Sequence, residues 1–329
     1  MGGKARVVVV SVGGASSMPV DGRQALEGVA DVSYLVRRGP MTAEDARLAL
    51  HNAEVAALTP KVAPHFDRAL LRSLPRLRGL VLYATGHDFL DVDLLDEHGI
   101  AVSVLPRYST EAVAEHGIAL LLGLSCRLHL ANDRSRGLVP SDVSLRGFEL
   151  HGRTLGVIGV GRIGGRVAQL ARAFGMRVLG YDRRSGAPHG VEPESLGELL
   201  ARSDAVVVCC SCERGAPYLI GRRELRRLRD GAVLVNVGRA ALVDHEAVAE
   251  ALRAGRLRGY GVDDAVFDVS THADLIREGR VLQTGHSAWW RDEVLDRGGG
   301  MWAEHLRRMV IGDPVDVVNS PPMRVELAG

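Results

Sequence analysis

Thr154-Leu155-Gly156-Val157-Ile158-Gly159-Val160-Gly161-Arg162-Ile163-Gly164 decides how this chain is read. A short apolar run over 154–158 leads into G-x-G-x-x-G, and apolar residues at helical spacing follow over 167–174. Strand, glycine turn and helix together are the context in which this pattern binds a dinucleotide. Gly159 permits the tight turn, Gly161 lets the backbone approach a pyrophosphate, and Gly164 lets the helix pack onto the strand. The helix opening at Arg162 and Ile163 presents free N–H groups and a positive dipole end to the phosphates. The next run, 177–181, ends at Asp182, which is 18 residues past Gly164. That is close to the ~20 expected of the acid that accepts from a ribose 2′-hydroxyl and repels a 2′-phosphate. Asp182 therefore selects NAD, while Arg183-Arg184 just beyond it is the kind of pair that accommodates NADP.

Outward from this motif the pattern alternates. Apolar runs at 6–12, 55–58, 79–83, 101–104, 154–158, 177–181, 205–209, 232–236 and 258–262 read as buried parallel strands. Amphipathic segments at 44–52, 66–74, 167–174, 222–228 and 244–254 fall between them and read as helices. Strand and helix in alternation over this length predict a doubly wound α/β architecture. Two longer helical stretches stand at 110–131 and 292–311, the second interrupted by Gly298-Gly299-Gly300. The polar stretch 132–148 reads as a surface connection.

Composition narrows the function. A chain of 329 residues suggests two domains, each able to bury its own core. A formal net charge of +1 gives no bulk drive toward nucleic acid or membrane. Aromatic residues at 4% argue against stacking platforms for single strands. No apolar run approaches the ~20 residues that span a bilayer, and Val7-Val8-Val9-Val10 is too short for a signal-peptide core. A cytoplasmic location is expected. Cys209-Cys210-Ser211-Cys212 contains a C-x-x-C, but no second Cys/His pair lies nearby to complete a zinc site, so no metal is expected.

Further motifs extend the pattern over nearly the whole chain: Leu74-Pro75-Arg76-Leu77, Thr85-Gly86-His87-Asp88, residues 108–116, Val235-Asn236-Val237-Gly238-Arg239, Gly261-Val262-Asp263 and Thr284-Gly285-His286-Ser287-Ala288-Trp289. With the glycine turn, they make the chain resemble the D-isomer-specific 2-hydroxyacid dehydrogenases. Within that family it looks most like the bacterial relatives of the C-terminal-binding-protein branch. The resemblance implies two doubly wound parallel-sheet domains, with a Rossmann cofactor domain (105–288) inserted into a flavodoxin-like substrate domain (1–104 and 289–329). It also implies an active cleft where the two meet, and a homodimer built with the help of the helix from Thr110.

Reducing a 2-oxo acid requires a cation for the carboxylate and carbonyl, an acid for the carbonyl oxygen, and a group that orients the acid. Arg239 matches the family's substrate arginine, whose planar fork holds carboxylate and carbonyl together as lysine does not. His286 matches the proton donor, and an imidazole with an ordinary pKa of about 6.5 serves as acid in reduction and base in oxidation. Gly285 stands where the family has proline before this histidine. The family's orienting glutamate falls five residues after Asp263, where this chain has Asp268, one methylene shorter. Asp268 is expected to pair with His286.

The resemblance places Thr85 and Gly86 against the substrate carboxylate, with Thr85 also near the cofactor. Leu82 stands where the C-terminal-binding-protein branch has arginine. Trp289 and Trp290 would shape the substrate pocket. Cys210 and Ser211 would line the nicotinamide, Val237 and Gly238 would run beside it, and Asp263 would face its carboxamide. The expected activity is hydride transfer between NAD, less readily NADP, and C2 of a small 2-hydroxy or 2-oxo acid. The alternatives are an NAD-sensing dimeric binding protein without turnover, or a same-fold dehydrogenase acting on a phosphonate, phosphite or formate-like substrate.

Overall fold

The computed structural model describes residues 3–183 and 188–321, so Arg184 lies outside the described residues. The chain divides into two compact units, Met1–Ser109 with Arg291–Gly329, and Thr110–Trp290. In the first, strands β1 (Ala5–Ser11), β2 (Ala30–Val36), β3 (Val55–Leu58), β4 (Gly79–Leu82) and β5 (Ala101–Ser103) form one sheet. Its order is β2-β1-β3-β4-β5, and every pairing is parallel. This is the flavodoxin-like order.

The second unit holds β6 (Thr154–Ile158), β7 (Arg177–Tyr181), β8 (Glu192–Pro193), β9 (Ala205–Val208), β10 (Ala232–Asn236), β11 (Leu257–Val262) and β12 (Val281–Gln283). Their order is β12-β11-β10-β9-β6-β7-β8, again all parallel. The chain moves one way from β6 to β8 and the other way from β9 to β12. Between β6 and β9 lies the switch point at which open α/β sheets bind their ligands.

The strand period builds the two layers of this unit. Leu155 and Val157 of β6, Ala205 and Val207 of β9, and Val233 and Val235 of β10 face one side. There they pack on the helices Thr110–Cys126 and Arg162–Ala173. Ile158, Val206, Val208 and Leu234 face the other, under the helices Leu196–Arg202 and His245–Arg253. A strand buried on both faces reads as an unbroken apolar run, which is why these strands are legible in the sequence.

Two expectations are corrected, and one strand is added to those expected. Strand β2 is half-exposed at the sheet edge, with Val36 facing solvent. Its alternating pattern lacks the continuous run sought above. The expected helix over 110–131 is two helices, Thr110–Cys126 and Leu128–Ser135, bent by 60° at Arg127, whose φ is 51°. Among the described residues no single helix is long and apolar enough to cross a membrane. Finally, Gly298-Gly299-Gly300 does not interrupt its helix, which runs unbroken from Asp292–Val310.

The first two glycines are there for close packing. A Cβ on Gly298 would run into the Tyr83 hydroxyl and come within 2.9 Å of the Tyr108 ring. Tyr83 has little room to yield: its hydroxyl donates to Leu295 O at 3.1 Å, and Trp302 stacks edge-on at 5.2 Å. Gly300, two residues on, faces open space. The two positions therefore respond oppositely to alanine. Gly298→Ala should destabilise by about 1–3 kcal/mol through overpacking, whereas Gly300→Ala should gain up to about 1 kcal/mol of helix propensity. Urea unfolding midpoints of the two variants against the parent check the sign of each.

Candidate active site

The turn after β6 shows why each glycine is needed. Gly159 sits at φ 87°, open only to glycine without strain, and its N–H donates to Tyr181 O at 2.8 Å. A Cβ there would lie 2.7 Å from the backbone nitrogen of Cys210. A Cβ on Gly164 would collide with the carbonyl of Gly159. Gly161 caps the helix Arg162–Ala173 with no side-chain cap of its own, and nothing lies within 4 Å of where its Cβ would be. Open space beside an uncapped helix N-terminus fits a pyrophosphate.

Parallel register sets the neighbours of this turn. Ile158 pairs with Tyr181 on one side and Val208 on the other, so Asp182 and Cys209-Cys210 flank Gly159. Asp182 is half-buried at the end of β7, in the position a ribose acid requires. Arg183, in contrast, is spent on a solvent-exposed ion pair with Glu213 at 2.8 Å. Cys210 is wedged between two glycines, since a Cβ on Gly238 would lie 2.6 Å from its carbonyl oxygen. Burial pushes its thiol up to about 11. Ser211 follows it and is exposed. All four cysteines are free, and no metal-binding group of His, Cys, Asp or Glu occurs among the described residues.

Arg239 leaves the end of β10 after buried Val237 and half-buried Gly238. Asn236 anchors this loop, although the sequence reading gave it no role. Asn236 is 2% exposed, donates through Nδ2 to Arg239 O at 2.8 Å, and accepts from Gly238 N at 3.0 Å through Oδ1. A short polar side chain buried at a strand end, three residues before the expected substrate arginine, is the signal that could have found it.

His286 is exposed at the top of an arch between β12 and the helix Asp292–Val310, at φ 62°. Gly285 beside it is at φ 60°. Proline, locked near −65°, is barred from that conformation. Glycine in the family's proline position thus gives the arch a backbone shape of its own. Asp263 holds both feet of the arch. Its Oδ1 accepts from Thr284 Oγ1 at 2.8 Å and from the backbone nitrogens of Ser287 at 2.8 Å and Ala288 at 3.1 Å; Oδ2 accepts from Ala288 N at 3.1 Å. The Asp263 carboxylate is thus turned to the arch. Trp289 and Trp290 follow, with ring centroids 5.0 Å apart; Trp289 is packed against the sheet and Trp290 is exposed.

The expected pair of Asp268 and His286 is not formed. The Asp268 carboxylate accepts from the backbone nitrogen of Ser270 at 2.6 Å and from the Ser270 hydroxyl. These bonds, with neighbouring His272, hold it below the usual carboxylate range. The reason is local: an aspartate two residues before a serine closes an Asx-type turn on its own backbone. Among the described residues no carboxylate bonds the His286 imidazole.

In the other unit, Thr85 and Gly86 lie in the loop after β4, where Thr85 Oγ1 donates to Leu105 O at 2.9 Å. Leu82 is fully buried at the end of β4.

A glycine turn at the switch point of a β12-to-β8 sheet, an acid on the next strand, and an arginine and a histidine after β10 and β12, on either side of β11, define a dinucleotide-binding α/β protein. Residues 118–288 match the family described as D-isomer specific 2-hydroxyacid dehydrogenase, NAD binding domain. The chain is 33% identical over 285 residues to the glyoxylate reductase of Korarchaeum cryptofilum (strain OPF8), spanning 83% of this chain and 85% of that one. It is similar in structure to the D-lactate dehydrogenase from Aquifex aeolicus complexed with NAD and lactic acid: TM-score 0.79, 27% identity, 96% of this chain and 100% of that one. It is also similar to an acyclic imino acid reductase in complex with NADPH and D-Arg: TM-score 0.82, 26% identity, 95% of this chain and 99% of that one. This chain belongs to the D-isomer specific 2-hydroxyacid dehydrogenase family. It spans about half the length of the curated D-3-phosphoglycerate dehydrogenases it also matches.

The placement of Asp268 generates a prediction. Asp268→Asn should leave the pH profile of kcat/KM superimposed on the parent's, because the carboxylate touches Ser270 and not the imidazole. A falling limb displaced to lower pH in the Asn variant would restore the pairing.

Proposed function

We propose that the chain is a nicotinamide-dependent oxidoreductase that transfers a hydride between NAD(H) and C2 of a small 2-hydroxy or 2-oxo acid. The observation that carries this is the clustering of the glycine turn, Asp182, Arg239 and the His286 arch at the carboxyl ends of one parallel sheet. In this reading the second unit carries the cofactor. Gly159, Gly161 and Gly164 and the first turn of the helix Arg162–Ala173 hold the pyrophosphate, and Asp182 holds the ribose. Cys210, Ser211, Val237 and Gly238 form the backbone beside the nicotinamide. The bound nicotinamide supplies or takes the hydride.

The protein residues do the remaining work. Arg239 holds the substrate carboxylate in its fork and polarises the carbonyl. His286 gives a proton to the carbonyl oxygen in reduction and takes it back in oxidation. Trp289 presents an apolar wall to the substrate side chain. The commitment of Asp268 to Ser270 favours one other reading, an NAD-responsive binding protein without turnover. That reading expects NADH to bind while no 2-oxo acid consumes it.

Absorbance loss of NADH across a panel of 2-oxo acids is the first experiment, with turnover expected and its absence throughout favouring the binding protein. Arg239→Lys keeps the charge but loses the fork. It should lower kcat/KM by about 10²–10³-fold, as for loss of one oriented donor, while NADH binding followed by fluorescence persists. Asp182 with Arg183 paired to Glu213 favours NADH over NADPH. The ratio of kcat/KM for the two cofactors checks this, and a preference for NADPH would remove Asp182 from the ribose.

A further inference from the structure

Beneath the arch that carries His286 lies a second layer of buried polar groups. His116 stands on the helix Thr110–Cys126, among residues that pack against the second sheet. The side chains of His116 and Asp263 are 10% and 8% exposed. His116 Nε2 lies 2.9 Å from Thr284 Oγ1 and 3.7 Å from Asp263 Oδ1. Thr284 Oγ1 lies 2.8 Å from Asp263 Oδ1. Donor and acceptor roles follow from valence. An ionised carboxylate only accepts, so the single hydroxyl proton of Thr284 goes to Asp263. The Thr284 oxygen then accepts from His116, and the tautomer with hydrogen on Nε2 is the one this network selects.

We propose that His116 is a positioning residue for His286, acting through Thr284 and Asp263. The proposal rests on the reading of His286 as proton donor. Two consecutive residues of the arch, Gly285 and His286, are left-handed. A non-glycine residue persists there only where its surroundings over-determine the backbone. Asp263 supplies that constraint by gripping the Ser287 and Ala288 amides. A carboxylate left to itself can rotate and grip them in more than one way. Thr284, fixed from below by the imidazole of His116, leaves it one orientation. The position of a proton donor must be held to within a fraction of an ångström to be effective. With Asp268 turned away, the arch itself is what aims His286. An apolar side chain at 116 would fill the same space, as Val113 and Ile118 do on this helix. An imidazole buried there has a reason only if its hydrogen bonds matter.

Four variants test this: His116→Leu and Thr284→Val remove the relay, while His116→Gln and Thr284→Ser keep a donor and a hydroxyl in place. Steady-state kinetics with NADH and a 2-oxo acid, NADH titration, and deuterium exchange of peptides covering 284–288 are the readouts. Leu and Val should lower kcat by about 10–100-fold, the range typical of groups that orient a reacting residue. NADH affinity should be unchanged, and exchange at Ser287 and Ala288 should accelerate. Gln and Ser should recover kcat and slow the exchange again. If Leu at 116 prevents folding, the isosteric Thr284→Val decides alone. Parental kcat in folded Leu and Val variants overturns the proposal, whatever the exchange shows. So does a loss that neither Gln nor Ser repairs, which would make the effect one of packing. If the parent reduces no 2-oxo acid, the functional reading fails by itself. Exchange then decides the relay: acceleration in Val that Ser reverses supports it, and parental exchange overturns it.

Discussion

The register of β6 between β7 and β9 is the constraint on which the rest of the second unit depends. It brings the turn after β6 against the turns after β9 and β10, so closely that Gly159 and Gly238 leave no room for a Cβ beside Cys210. Such an approach is possible only where two backbones meet without side chains between them. Asp182, Cys210 and Arg239, each with a part in the proposed function, hang from these strand ends. A one-residue slip in a parallel ladder would turn each strand's inner face outward and separate the turns.

Loops at strand ends are ordinarily the mobile part of a fold. Here two of them are tied down by short polar side chains, one at the loop's own strand end and one at the end of the neighbouring strand. Asn236 ties the Arg239 loop to itself, and Asp263 ties the His286 arch. The two are linked, since Asp263 N donates to Asn236 O at 2.9 Å. Burying such groups is costly unless their hydrogen bonds are made. Asp263, with acceptor bonds on both oxygens, meets that condition. The resemblance suggested that Asp263 faces the carboxamide. In the structure its carboxylate serves the arch.

The departures from the family pattern form a consistent set. Glycine in place of proline at 285 allows a left-handed backbone. Aspartate in place of glutamate at 268 closes its own turn on Ser270. The arch thereby gains a shape of its own, while among the described residues the imidazole does without a bonded carboxylate. Leu82, in place of the arginine of one branch, is fully buried in the core of the first unit. Each change is intelligible from its own backbone, and none disturbs the glycine turn or the Arg239 loop.

By itself, the sequence determined the doubly wound class, the strands that are buried on both faces, the glycine turn, and the placing of Arg239 and His286 just beyond strand ends. Buried parallel strands announce themselves as apolar runs, and a turn that must adopt positive φ announces itself as glycine. Edge strand β2 was hidden because half its residues meet solvent. The unbroken helix through Gly298-Gly299-Gly300 was hidden because its reason is the ring of Tyr83, more than two hundred residues away along the chain. The partners of Asp268, Asp263 and His116 were decided only by the tertiary structure. A carboxylate's direction depends on which donor lies nearest in space, and for Asp263 those donors come from Thr284, Ser287 and Ala288, on a loop that no spacing rule connects to it.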